Sequence, residues 1–195
     1  MIDGFTIVKG FFRPSTVAQA KQELDPWFDK GSLRYPYMDL HIGVPGKSQA
    51  LDSMFEIVLT TPKTKEIIKS LAGWPIKFKD INARRMKARW NNGLKWHTDG
   101  EDEYGIGIPL TDIPWLGPAT GFKSGTAYCK AGDLYFFINR FPHCRMRNWR
   151  LARSVVVLGS FFPIDKAFTK GFVPWPKDVV GRDLSKFRQA LGLGD

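Results

Sequence analysis

The stretch "AGDLYFFINRFPHCRMRNWRLARSVVVLGSFF", residues 131–162, decides how the chain is read. Two apolar runs in it, "DLYFFIN" and "RSVVVLGSFFP", have the length and the β-branched and aromatic content of strands, and Gly, Asp and Pro punctuate their ends. Between them lies a polar, arginine-rich segment holding His143. Working outward, "YGIGIPLTD" and "GTAYCK" read as further short strands. Upstream, "PIKFKDINARRMKARW" alternates, with Met86, Ala88 and Trp90 on one face and Arg85, Lys87 and Arg89 on the other, the period-2 pattern of a half-buried strand. Several short strands with turns between them predict an antiparallel sandwich or barrel.

The N-terminal part has a different character. "GFTIVKGFF" reads as a short strand, and "RPSTVAQAKQELDPWF" as a helix, with Val17, Ala20, Leu24 and Trp27 at helical spacing behind Ser15 as a cap. A second helix is predicted over "SQALDSMFEIVLT". A third starts at Thr61 with Pro62 in its first turn and stops at Gly73. Residues 31–47, rich in Gly and Pro, read as a long loop that suits a lid, and His41 within it reads as a loop residue. "DLSKFRQALG" predicts a short C-terminal helix. One domain over 1–195 follows: helical support over 1–74, a β core over about 75–165 and an extension over 166–195.

A length of 195 residues, 43% of them hydrophobic and 14% aromatic, gives a chain able to bury a sizeable core. No apolar run approaches the roughly 18 residues of a membrane span, and the N-terminus lacks a basic region followed by a long apolar one, so a cytoplasmic protein is expected. Cys129 and Cys144 are too few for a disulfide framework and lack zinc-site spacing, so both read as reduced and structural. The net charge of +10 bears on partners and solubility rather than fold.

A second stretch, "GLKWHTDGEDE" at 93–103, places His97 two residues before Asp99. In extended chain both side chains point to one side, so an imidazole and a carboxylate can share a metal ion. Two histidines and one carboxylate on a triangular face leave three positions open, the arrangement of non-haem iron oxygenases. His143 and His41 are the two histidines left to complete it. The alternative is plain: His97 caps a turn and His143 is a polar residue at a strand end.

The 131–162 stretch resembles the C-terminal half of the iron(II)/2-oxoglutarate-dependent dioxygenases, especially their compact prolyl-hydroxylase-like branch. In that pattern a "GD" turn leads into an apolar strand, then a histidine, then an arginine about ten residues on; here Arg153 follows His143 by ten. "RWNNGLKWHTD" is similar to the family's His-x-Asp turn, and "IPLTDIPWLGPATGF" to its run into a hairpin. The opening "DGFTIVKGFFRPSTVAQAKQEL" is similar to phytanoyl-CoA-hydroxylase-like members. No arginine lies six beyond Arg153, so the double-arginine pattern of the alkylation-repair demethylases is absent.

The resemblance implies a mostly β fold with flanking helices, a double-stranded β-helix (jelly-roll, cupin-like) barrel. It implies iron(II) held by His97, Asp99 and His143, with 2-oxoglutarate as co-substrate and O2 as oxidant. Arg153 would pair with the distal carboxylate of 2-oxoglutarate, and Trp90 either borders that pocket or belongs to the core. The implied activity is hydroxylation of a substrate C–H bond with formation of succinate and CO2. A barrel that has lost catalysis and only binds is the non-enzyme alternative.

For the substrate, the basic residues suggest a direction. Arg85, Lys87, Arg89, Arg145 and Arg147, with Trp149 as a stacking surface, suit a polyanion, so a nucleic acid or nucleotide is expected first. A peptidyl residue such as proline, or a small metabolite, is the alternative.

Overall fold

The computed structural model describes residues 4–28, 41–43, 46–89, 96–100 and 102–163. Trp90, most of the 31–47 loop, and the C-terminal extension with its expected helix lie outside the described residues. Two antiparallel sheets form, one of six strands in the order β1-β7-β4-β9-β3-β2 and one of three in the order β6-β5-β8. Their strands are β1 (Phe5–Val8), β2 (His41–Gly43), β3 (Ile76–Met86), β4 (Tyr104–Pro109), β5 (Thr120–Phe122), β6 (Gly125–Ala127), β7 (Leu134–Ile138), β8 (His143–Arg145) and β9 (Ser154–Pro163). Helices α1 (Pro14–Phe28), α2 (Gln49–Thr60) and α3 (Pro62–Ala72) pack on one side of the larger sheet.

Strand alternation sorts the side chains into two cores. Leu134 and Phe136 of β7, Ile106 and Ile108 of β4, and Val155, Val157 and Phe161 of β9 join Leu24, Phe28, Met54 and Phe55 of the helices in the outer core. Tyr135, Phe137, Val156 and Leu158 point the other way, into a second core that includes Phe122 and Ala127 of the small sheet. The larger sheet is therefore sandwiched between helices and the smaller sheet. Gly105 and Gly107 alternate on the inner face of β4 because a Cβ there would come within 2.0 Å of the Phe137 and Tyr135 rings, respectively.

The expected helices form with small shifts. Helix α1 begins at Pro14, so Ser15 lies inside it rather than capping it. Ser48 caps α2 by accepting from Leu51 N, and α3 runs from Pro62 to a C-cap at Gly73, whose φ is 76°. Three strand readings change. Residues 41–43 are not loop but an edge strand paired with β3, His41 facing Arg84 in register. The alternating run of 75–90 stops at Met86, beyond which residues 88 and 89 form a turn, with Arg89 at φ 51°. His143 opens a strand of its own, on the smaller sheet. A three-residue strand leaves too short an alternation to detect from sequence.

Candidate metal centre

His97 and His143 are placed opposite one another by an isolated antiparallel bridge. The backbone bonds are reciprocal, His97 N to His143 O and His143 N to His97 O, each 2.9 Å. Opposed residues project to the same side, and the two imidazole centroids lie 4.5 Å apart. Asp99, two residues on, is fixed by its own N–H, which donates to Asn139 O at 3.0 Å. Asn139 is in turn clasped to Glu103, donating its backbone N–H to Glu103 O and its Nδ2 to Glu103 Oε1, each at 3.0 Å. One nitrogen or oxygen from each of His97, Asp99 and His143 lies within 4.8 Å of the others.

His143 is oriented by its surroundings. Its Nδ1 is 2.9 Å from Phe141 O, and its Nε2 lies 3.5 Å from Asp99 Oδ2. A carbonyl can only accept, so Nδ1 carries the hydrogen in the neutral ring and Nε2 keeps its lone pair for a metal. Phe122 and Phe137 wall the ring on two sides, with centroids 6.2 and 5.7 Å away. Burial opposes protonation of this imidazole, but the hydrogen bonds to Asp99 and Phe141 outweigh it and raise its pKa above the usual value. Two imidazoles and a carboxylate converging on one point suit a borderline divalent ion such as iron(II) and leave other coordination positions open.

The triad opens onto a cavity of about 400 Å³ between the sheets. Its walls include Asp80, Asn82 and Arg84 of β3, Leu158 and Ser160 of β9, and Thr120 and Arg145 of the smaller sheet. Burial, together with the Arg145 charge nearby, pulls the Arg84 guanidinium down to about 10.

The other expected site residues are placed less centrally. Arg153 is exposed and is not among the cavity-lining residues. The cause is strand parity: Val156 and Leu158 face the cavity side of β9, so Ser154, buried and opposite Met86, occupies the inward position and Arg153 the outward one. Arg85 stacks on Phe28 of α1, with its guanidinium carbon 4.9 Å from the ring centroid, on the helix side of the sheet. Lys87, Arg89, Arg147 and Trp149 are exposed and do not line the cavity, and Arg147 lies over the Trp149 ring. Of the basic residues named for the substrate, Arg145 alone lines it. Asp80, Asn82 and Arg84 were missed, although the alternation read for 85–90, extended backwards from Met86, puts all three on Met86's face.

Cys129 and Cys144 are free, as expected. Burial drives the Cys129 thiol up to about 12, which makes it unreactive.

Neither a protein-family model nor a curated sequence matches the chain. Solved structures do. The epimerase SnoN, in complex with Fe3+, alpha ketoglutarate and nogalamycin RO, superposes with a TM-score of 0.72 at 16% identity, covering 93% of this chain and 88% of that one. HygX from Streptomyces hygroscopicus, with nickel, 2-oxoglutarate and hygromycin B bound, gives 0.66 at 9% identity and 84% of each chain. AviO1 from Streptomyces viridochromogenes Tue57 gives 0.68 at 11% identity over 86% of this chain and 93% of that one. The fold is therefore the one these structures share, the jelly-roll arrangement expected from the sequence. No helix among the described residues is long and apolar enough to cross a membrane.

Proposed function

We propose that this protein is an iron(II)- and 2-oxoglutarate-dependent enzyme that oxidises a C–H bond of a small organic substrate. The observation that carries the reading is the convergence of His97, Asp99 and His143 within 4.8 Å at the mouth of a cavity, on a fold shared with enzymes that bind iron or nickel and 2-oxoglutarate. When bound, iron with 2-oxoglutarate and O2 supplies the oxidant, and succinate and CO2 leave as co-products.

The chain's own residues do the rest. The His97–His143 bridge holds both imidazoles at fixed spacing, the Phe141 carbonyl sets the His143 tautomer, and the Asn139–Glu103 clasp holds the backbone of Asp99. Phe122, Phe137 and Leu158 exclude water from the inner side of the site. The three side chains line the cavity, so a substrate carbon held there would lie beside a metal bound by them.

The cavity's size suits a small molecule, and SnoN and HygX are structures with nogalamycin RO and hygromycin B bound. The basic residues outside the cavity favour a small metabolite over nucleic acid as the substrate, because the expected phosphate track does not converge on the triad. Hydroxylation is the simplest outcome for the substrate. The experiment is a succinate-release screen with iron(II), ascorbate and 2-oxoglutarate against glycosides, polyketides, peptides and oligonucleotides. Substrate-dependent succinate with an oxidised small-molecule product is expected. Stimulation by oligonucleotides alone would return nucleic acid to first place, and metal binding with no turnover would favour the binding module.

A further inference from the structure

Beyond Arg145, at the end of β8 opposite to His143, the chain carries large apolar side chains on its outside. Trp115 is 73% exposed, Leu116 45%, Trp149 55% and Leu151 74%. Hydrogen bonds tie the loops that present them into one surface. Trp149 N donates to Leu116 O at 3.0 Å, and Arg89 N donates to Arg150 O at 2.8 Å. Asn148, fully buried, donates its Nδ2 to Lys87 O at 2.7 Å and to Ala152 O at 3.0 Å, and its Oδ1 accepts from Arg150 N at 3.2 Å. The polar side chain is thus inside and the tryptophans and leucines are outside, the reverse of what burying apolar area favours. An exposed apolar patch held in place by the backbone marks a docking surface.

Charge identifies the partner. Segments 87–89, 112–116 and 146–153 contain Lys87, Arg89, Arg147, Arg150 and Arg153 against one acid, Asp112. Asp112 Oδ1 accepts from Ala131 N at 2.9 Å, and Arg150 donates to the Asp112 carbonyl at 3.4 Å. Arg89, Arg147 and Arg153 are exposed, and the Arg147 guanidinium carbon lies 5.5 Å from the centroid of the Trp149 ring. The complement of such a surface is anionic, and a second copy of a chain carrying +10 is repelled by it. Nucleic acid would stack on the tryptophans but leaves Leu116 and Leu151 without a role. A folded protein would need a pocket shaped to each protruding tip. A fluid bilayer closes around such tips unaided, and its anionic headgroups meet the arginines.

We propose that this surface seats the protein on an anionic lipid bilayer, with Trp115, Leu116, Trp149 and Leu151 entering the headgroup region and Arg89, Arg147 and Arg153 facing the lipid phosphates and carboxylates. The attachment is peripheral, since loop side chains make it and no helix among the described residues is long and apolar enough to cross a membrane. None of these seven residues lines the cavity at the triad. The inference therefore stands apart from the proposed activity.

The test is cosedimentation of the full chain with vesicles of phosphatidylcholine alone and of phosphatidylcholine and phosphatidylserine mixed at about 3:1. The mixed vesicles should bind the wild type at least about tenfold more tightly than the neutral ones, and rising salt should weaken that binding. Trp115→Ser combined with Leu151→Ser keeps every charge and should weaken it at least about tenfold. Arg147→Glu combined with Arg153→Glu should do the same, whereas Arg147→Lys with Arg153→Lys should stay within about threefold of the wild type, because a surface potential acts on charge rather than on guanidinium shape. Circular dichroism should be the same for every variant. Brominated phosphatidylcholine in the mixed vesicles should quench tryptophan emission of the wild type, and Trp115→Phe with Trp149→Phe should remove most of the quenching while binding persists. Absence of binding to mixed vesicles overturns the proposal. So does equal binding to neutral vesicles, or undiminished binding of the folded Trp115→Ser, Leu151→Ser variant. Tighter retention by a single-stranded oligonucleotide than by mixed vesicles, lost in Trp149→Ala and kept in Leu151→Ser, would reassign the surface to nucleic acid.

Discussion

The six-stranded sheet presents two faces of opposite chemistry. Towards the helices, Ile106, Ile108, Leu134, Phe136, Val155, Val157 and Phe161 form an apolar surface. Towards the smaller sheet, the same strands carry Tyr135, Phe137, Val156 and Leu158 interleaved with Asp80, Asn82, Arg84, Ser154 and Ser160. Burying apolar area is what the first face does, and it stabilises the scaffold in proportion to that area. The second face holds buried polar groups, among them Arg84 Nε and Ser154 Oγ, that have no hydrogen-bond partner. Asp80, Asn82, Arg84 and Ser160 on this face line the cavity at the triad. Stability and function are thus divided between alternate residues of the same strands.

Substitutions can break this division in either direction. The largest expected effect on function comes from the triad. His97→Ala, Asp99→Ala or His143→Ala should abolish metal retention and lower succinate formation by at least about a hundredfold, since two ligands hold a labile divalent ion poorly. Metal analysis and circular dichroism together check that the fold survives. On the helix face the expectation reverses. Phe136→Ala should cost about 3–5 kcal/mol of stability in urea unfolding through the cavity it leaves, with metal affinity of the folded fraction unchanged.

Gly107 tests the close approach of the Tyr135 ring to the backbone of β4 on the inner face. A methyl group there meets the Tyr135 ring, so Gly107→Ala should cost about 1–3 kcal/mol or more, read as a lower urea midpoint. An effect of similar size is expected at the turn into β7. Asp133 is buried and accepts from Gly10 N and Lys130 N, each at 2.8 Å, and from Lys9 Nζ at 3.1 Å. Burial pushes its pKa up, but these bonds outweigh burial and hold it below the ordinary carboxylate value. Its contribution is therefore fully present above the ordinary carboxylate range and is lost as pH falls through the depressed pKa of the folded state. Asp133→Asn should cost about 1–3 kcal/mol near neutral pH. It should also flatten the acid limb of a stability–pH curve. Smallest of all, Lys87→Ala or Arg147→Ala should change stability by less than about 0.5 kcal/mol. Either variant should leave metal retention unchanged.

What the sequence made legible follows the strength of each periodic signal. Helix α3 was readable because Pro62 and Gly73 mark its ends, and β9 because ten residues of apolar run bear no other interpretation. The two-residue spacing of His97 and Asp99 put both side chains on one side of an extended chain, but the choice of His143 over His41 to complete the set came from the family resemblance. Arg153 lies outside the cavity for the complementary reason. Counting residues from His143 gives a distance along the chain, whereas entry to the cavity depends on parity along β9, where a shift of one residue reverses the face. Arg84 escaped notice, and Arg145 was named only as one of a basic set, because each lies among other basic residues, and a charge run reads as a solvated surface until the fold singles out its members. The strands β2 and β8, three residues each, exist through pairing with distant partners that no local pattern announces.

The central claim is that His97, Asp99 and His143 form one metal centre opening on a co-substrate cavity. Anaerobic titration of the chelator-treated protein with iron(II), in the presence and absence of 2-oxoglutarate, tests it most directly. The account predicts one equivalent of iron per chain, a visible charge-transfer absorption appearing only when 2-oxoglutarate is added, and loss of both in His143→Ala. Iron binding of equal stoichiometry and affinity in His143→Ala, or no stoichiometric binding in the wild type, would contradict it.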